Sequence, residues 1–189
     1  MSQHRIFIVG GGPSLRGFDF SRLRGRRVFA VNAAGYDVPW AELLVFDGHG
    51  FYRDHSGLIN GWAGNVVTRA PASRLIKGDR VQFVGVSERP DFGHGLVKSG
   101  PSTGHLAVGL AVQRMAQSVV LLGFDCTNDS AGRSHYHDRY GGDGSRFIAT
   151  WSGWNAAARR AGVDIVNASH MTALTEFRVA HIDSILGAP

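Results

Sequence analysis

Short unbroken apolar runs, each ending in glycine or in one polar residue, recur along this chain. Residues 6–9 run into Gly10-Gly11-Gly12-Pro13-Ser14, residues 28–31 end at Asn32, and residues 43–46 end at Asp47. Continuous rather than alternating apolar runs mark strands buried on both faces, as in a parallel sheet. Weaker runs at 66–68 and 81–86 read as further strands, and 88–100, with Pro90, Gly93 and Gly95, reads as a long exposed loop. Residues 102–116 set Leu106, Leu110, Ala111 and Met115 at helical spacing, and the most strand-like run follows at 118–124. After Asp125 a polar, glycine-rich stretch fills 126–144. A helix is then expected near 145–161, stopped by Gly162, followed by a strand at 163–166 and a last helix starting near Ala173.

Strands alternating with helices over short connections predict an α/β fold: a Rossmann-like, doubly wound, mostly parallel sheet with ligands at the carboxyl edge of the strands. At 189 residues the expectation is one domain spanning 1–189. No repeat, low-complexity tract or linker interrupts it.

Composition sharpens this picture at three points. The 26 glycines are about twice the usual share and point to a site built on loops. The net charge is +5, and because Lys77 and Lys98 are the only lysines, 18 of the 20 basic residues are arginine, whose fork pairs phosphate oxygens two at a time. Only residues 22–27 cluster, so a nucleic-acid partner has no further support in the sequence. The single cysteine, Cys126, excludes an internal disulfide framework and a cysteine-rich zinc module and fits a reducing compartment. The apolar run before Gly10 is too short for a signal-peptide core, and no run is long enough to span a bilayer, so the expected location is cytoplasmic. Nothing in the pattern sets an oligomeric state.

Four segments carry candidate chemistry. The loop Gly10-Gly11-Gly12-Pro13-Ser14 follows a strand directly, where glycine lets backbone N–H groups approach a phosphate or ribose. It is neither a Walker A loop, lacking Gly-Lys-Ser/Thr, nor a dinucleotide fingerprint, because Leu15 stands in place of the third glycine. Ser102-Thr103-Gly104 opens the strongest helix, so its hydroxyls and free N–H groups suit an anion at the positive end of the dipole. The segment His135-Tyr136-His137-Asp138-Arg139-Tyr140 gathers two imidazoles and two phenols in one glycine-flanked loop. A histidine there suits general-base work near neutral pH. A metal site on His135, His137 and Asp138 is the competing reading, but His-x-His without a distant partner is weak, and no metal is expected. Asp47 and Asp125 end strands, where a carboxylate can hold ribose hydroxyls, hold magnesium, or simply cap the next turn.

The order Ile-Val-Gly-Gly-Gly-Pro-Ser-Leu, Phe-Asp-Phe-Ser-Arg-Leu, Val-Phe-Ala-Val-Asn, then the Ser-Thr-Gly loop, the Val-Val-Leu-Leu-Gly-Phe-Asp strand, the Tyr/His loop and Asn167-Ala168-Ser169 resembles the bacterial CMP-sialic-acid-dependent sialyltransferases over most of the chain. The same skeleton is similar to archaeal 6-hydroxymethylpterin pyrophosphokinases and to uncharacterised, often phage-encoded, Gly-x-Gly-Pro-Ser-Leu proteins. The transferase resemblance implies nucleotide contacts from Gly10, Gly12, Pro13, Ser14 and Asn32. It implies phosphate contacts from Ser102, Thr103, Gly104, Tyr136 and Tyr140, and His137 as the base, with His135 beside it. The chain departs from that family where Gly11 replaces its asparagine, where the tyrosine and histidine elements share one loop, and in length.

The leading expectation is therefore a transferase using a nucleotide-activated donor, such as a CMP-sugar, with an acceptor the sequence does not identify. One alternative is a pyrophosphokinase in which Asp47 and Asp125 hold magnesium on ATP. Another is a non-catalytic phage accessory protein that binds nucleotide or nucleic acid. Two geometric expectations follow: Ser14, Asn32 and Thr103 converge on one crevice, and His137 rather than His135 faces it with a tyrosine beside it.

Overall fold

Strands β1 (Arg5–Val9), β2 (Arg27–Val31), β3 (Leu43–Val45), β4 (Asn65–Arg69), β5 (Val81–Val84), β8 (Ser118–Leu122), β9 (Asp164–Asn167) and β10 (Arg178–Val179) form one sheet in the order β10-β9-β8-β1-β2-β3-β4-β5. Every neighbouring pair in it is parallel. The computed structural model describes residues 4–46, 48–69, 76, 81–89, 92, 96–139 and 141–187. Alternate residues of β1 to β4 and of β8 enter opposite cores. Ile6, Ile8, Phe29 and Leu43 face one layer, and Phe7, Val9, Val28, Ala30 and Leu44 face the other. Burial on both faces is why these strands read as continuous apolar runs.

Five α-helices lie among the described residues: α1 (Gly48–Asp54), α2 (Ser56–Asn60), α3 (Thr103–Gln113), α4 (Trp154–Arg160) and α5 (Ile182–Leu186). In α3 every residue from Thr103 to Val112 is buried, so the helix is apolar all round because it is covered all round. The sheet lies on one side of it. On the other lies a strand pair, β6 (Val86–Ser87) and β7 (Val97–Lys98), where the sequence reads only an exposed loop. Val97, Lys98 and Ser99 are buried.

Two further expectations are corrected. The helix expected at 145–161 is two 3-10 turns, Ser145–Phe147 and Ala149–Trp151, followed by α4. Ser152 is extended, Gly153 is left-handed at φ +78°, and the break lets Trp151 and Trp154 turn into one core with ring centroids 5.2 Å apart. No helix starts near Ala173, because that backbone is spent on the loop after β8: Ala173 N donates to Asp125 O at 2.8 Å and Thr172 Oγ1 to Phe124 O at 2.9 Å. The chain stays extended into β10, burying Leu174 and Phe177 on the way.

At Gly109 helix α3 approaches β7 closely. A Cβ on Gly109 would lie 1.8 Å from the Lys98 carbonyl oxygen, a backbone atom that cannot swing aside. Alanine ordinarily gains about 1 kcal/mol over glycine inside a helix. Here Gly109→Ala is expected to destabilise by about 1–3 kcal/mol, the usual cost of overpacking, measured as a lower urea midpoint. An unchanged or raised midpoint refutes this close approach.

Candidate active site

From β1 the chain builds outward to β5, then returns through α3 to β8 on the opposite side of β1 and continues to β9 and β10. The gap between β1 and β8 is therefore where successive connections diverge, the position at which parallel sheets open a crevice beyond their carboxyl ends. A cavity of about 690 Å³ lies there, within the roughly 300–1,000 Å³ of small-ligand clefts. Its lining brings together Gly10, Gly11, Gly12, Asn32, Ser102, Thr103, Gly104, Asp125 and His135, which are far apart in sequence.

The floor is a pair of stitched loops. Gly10 N donates to Leu122 O at 2.8 Å and Gly12 N to Gly123 O at 2.9 Å, while Ser14 N and Oγ both reach Asp125 Oδ2, at 3.0 and 2.9 Å. A Cβ at Gly12 would sit 2.0 Å from that carboxylate oxygen, so only glycine fits. These bonds also occupy the N–H groups of Gly10, Gly12 and Ser14. The glycine loop, expected to offer its amides to an anion, uses those three to hold the two strand ends together.

The anion-suited pole is instead the start of α3. Asn32, in the left-handed region at φ +52°, donates from Nδ2 to Thr103 Oγ1 at 3.4 Å, and Gly104 packs against Phe124. Of the three residues expected to converge, Asn32 and Thr103 line the crevice, whereas Ser14 reaches it only through Asp125, to which it bonds from outside the lining. Ser102 plays a different part from Thr103. His105, fully buried and stacked on Trp151 at 3.7 Å, donates from Nε2 to Thr150 O at 3.2 Å. A carbonyl only accepts, so Nδ1 is the accepting nitrogen, and the Ser102 hydroxyl proton goes to it at 2.7 Å. Ser102 Oγ also accepts the His105 N–H in a capping box. That hydroxyl proton is consumed in joining the α3 start to the Thr150–Trp151 wall, which leaves Thr103 and the first amides of α3 to face an anion.

The remaining wall is one the sequence reading missed. It comprises Gly141 to Gly144, Arg146, Phe147, Thr150 and Trp151, with Cys126 and Thr127 beneath. Arg146 brings a cation to the rim, its guanidinium 4.6 Å above the Phe147 ring. Burial pushes the Cys126 thiol up to about 11, so it is not a nucleophile near neutral pH.

The histidine loop reverses one expectation. His135 lines the crevice, whereas His137 lies behind it, stacked on His135 at 5.2 Å and lining an adjoining cavity of about 310 Å³. Tyr136 N donates to Gly11 O at 3.0 Å, which turns the phenol away from the crevice to donate to Asp37 Oδ2 at 2.7 Å. Pro13 and Ser14 sit in the wall behind the floor rather than on the lining. Asp47 and Tyr140 lie outside the described residues. Burial lowers the pKa of His135, and burial with the neighbouring His135 and Arg139 takes His137 down to about 4. Both imidazoles are neutral at pH 7. Burial raises the pKa of Asp125, against the bonds from Ser14.

Among the described residues, no three of His, Cys, Asp or Glu gather as a metal site, and no helix is long and apolar enough to cross a membrane. Within the basic cluster, Arg22 pairs with Asp183 and Arg27 with Glu42, while Arg24 lies over the Trp40 ring.

No family model and no curated protein matches the chain. Solved structures do. The sialyltransferase CstII from Campylobacter jejuni, in complex with the substrate analogue CMP-3FNeuAc, superposes with a TM-score of 0.55 at 12% identity, covering 93% of this chain and 85% of that one. The sialyltransferase CST-II in complex with a trisaccharide acceptor and CMP gives 0.53 at 12% identity, with the same coverage. At that identity the likeness shows the fold, a Rossmann-like α/β arrangement.

Three histidines whose pKa values burial lowers, His105 fully buried and His135 and His137 half-buried, make stability depend on pH in a defined direction. Burial drives His105 down to about 4 from 6.5, so between these values the unfolded chain binds more protons and stability falls as pH falls. The denaturant midpoint should hold above pH 6.5 and drop towards pH 4, each such histidine adding a slope of at most about 1.4 kcal/mol per pH unit. His105→Asn should have a lower midpoint at pH 7 and a shallower dependence across that window. An unaltered slope would show that His105 is not held neutral.

Proposed function

We propose that this chain is a transferase that uses a nucleotide-activated donor, a nucleotide sugar, and passes the sugar to an acceptor hydroxyl. The observation that carries this reading is the convergence, at the switch point of a parallel sheet, of an anion-suited helix start, a buried carboxylate and a neutral histidine around one ligand-sized cavity. The shared fold supports it, since the superposed sialyltransferases hold a CMP-sugar analogue in one structure and CMP with a trisaccharide acceptor in the other.

In this reading the donor's phosphate lies at the start of α3, against Thr103 and the first amides, with Arg146 at the rim. His135 is the base. Its Nδ1 lies 2.7 Å from Ser134 Oγ, and with Nδ1–H donated there, Nε2 is the basic nitrogen. The acceptor hydroxyl gives its proton to Nε2 as its oxygen bonds to the anomeric carbon. The bond from that carbon to the phosphate oxygen breaks, and its electron pair leaves on the nucleotide, where the helix start and Arg146 stabilise the charge. His137 backs the His135 ring from behind.

Calorimetry with CMP, CTP, UDP and ATP tests the first half: at least one should bind, in EDTA as well as without it, and no binding at millimolar concentration ends the reading. On a substrate so identified, His135→Ala should lower kcat by about 10² to 10⁴ while leaving nucleotide affinity nearly unchanged, because a base acts on the acceptor proton in the transition state. If His137→Ala shows that loss and His135→Ala does not, the base is His137.

A further inference from the structure

Asp125 is the most deeply buried ionisable group in the crevice, 1% exposed at the end of β8. Its two oxygens are not equivalent. Oδ2 accepts both hydrogen bonds from Ser14, whereas Oδ1 is buried and has no hydrogen-bond partner among the described residues. An acceptor buried without a donor is costly, and few native groups are left so. Asp125 lines the cavity, so a ligand there can supply the missing donor.

The position of Asp125 narrows what that donor is. Phe124, one residue earlier, packs its ring against Gly104 at the start of α3, the pole suited to a phosphate. Asp125, Thr103 and Gly104 line the same cavity, so the carboxylate and that pole face one space. In a nucleotide bound with its phosphate there, the ribose is the next unit along, while the amino group of a base lies farther off. A ribose hydroxyl donates one proton to one acceptor, which is what Oδ1 lacks. A cation is a poorer match, because among the described residues no second and third ligand gather beside Asp125.

We propose that Oδ1 of Asp125 accepts a hydrogen bond from a sugar hydroxyl of the bound nucleotide, the 2′ or 3′ hydroxyl of its ribose, and so makes the crevice selective for ribonucleotides. This rests on the reading of the crevice as a nucleotide site and adds to it a discriminating group. Ser14 is then a positioning residue: its two bonds to Oδ2 fix the carboxylate so that Oδ1 faces the ligand. Gly12 is glycine because a Cβ would occupy the place of Oδ2.

The test uses the full chain and calorimetry with cytidine 5′-monophosphate, its 2′-deoxy and 3′-deoxy analogues, and uridine 5′-monophosphate. The ribonucleotide should bind wild type about tenfold or more tightly than at least one deoxy analogue, the effect of one hydrogen bond to a charged acceptor. Asp125→Asn should weaken the ribonucleotide and bring the analogues level with it, because the amide presents a donor where an acceptor is needed. Equal affinity of wild type for the ribo and both deoxy forms overturns the proposal, as does a ribose preference that survives in Asp125→Asn. A preference that follows the base amino group, cytidine over uridine with no effect of the ribose, also overturns it. If Asp125→Asn does not fold, the wild-type comparison decides alone. Binding of no nucleotide at all is a separate outcome, which removes the functional reading and this proposal with it.

Discussion

The bonds that lace the carboxyl end of β1 to that of β8 are the constraint on which the rest of the molecule depends. A parallel sheet leaves the ends of two adjacent strands free to splay where the chain departs in opposite directions, and a crevice opens there by default. Here two amide-to-carbonyl bonds and the double grip of Ser14 on Asp125 hold the ends at one separation. The cavity floor is thereby rigid, and its walls hang from it: Tyr136 bonds to Gly11 O, Ala173 to Asp125 O, and Asn167 Nδ2 to Phe124 O at 3.1 Å. By the same economy the amides of Gly10, Gly12 and Ser14, used for lacing, are not left to meet a ligand.

Electrostatically the crevice has two ends of unlike character. The α3 start and Arg146 favour negative charge, while the buried carboxylate of Asp125 favours donors and repels it. A ligand that satisfies both carries an anionic group and hydroxyls a short distance apart. His135 also lines the crevice, with burial lowering its pKa, so it adds little charge to either end. His105 fixes the geometry of the first end from below, through the Ser102 hydroxyl and the Trp151 ring.

The strands were legible because burial on both faces writes itself as an unbroken apolar run, and the loops at their ends were legible because parallel strands deliver them to one edge. The meeting of Asn32 and Thr103 follows from those two rules alone. Side-chain direction in the irregular 126–151 segment obeys no period, so His135 and His137 could not be told apart; the choice is made by Tyr136 N finding Gly11 O. The far wall escaped notice because Arg146 and Trp151 sit in a segment whose pattern reads as continuous helix, and the Ser152–Gly153 break that turns Trp151 inward depends on two tryptophans sharing one core. Which hydroxyl of Ser102 and Thr103 is occupied depends on a histidine three residues on, whose pairing is visible only in space.

Gly11 leaves a mark on how such a chain can change over generations. A Cβ there would come 2.6 Å from Cδ2 of His135, so the imidazole stands in the space that a side chain at position 11 would take. The two positions are alternatives. A lineage that acquires a side chain at 11 displaces its own histidine, and one that loses the histidine is free to fill 11. Exchange between the two states thus runs through the loss at 135 first, and a side chain at 11 together with a histidine in this place is the one combination the packing disfavours.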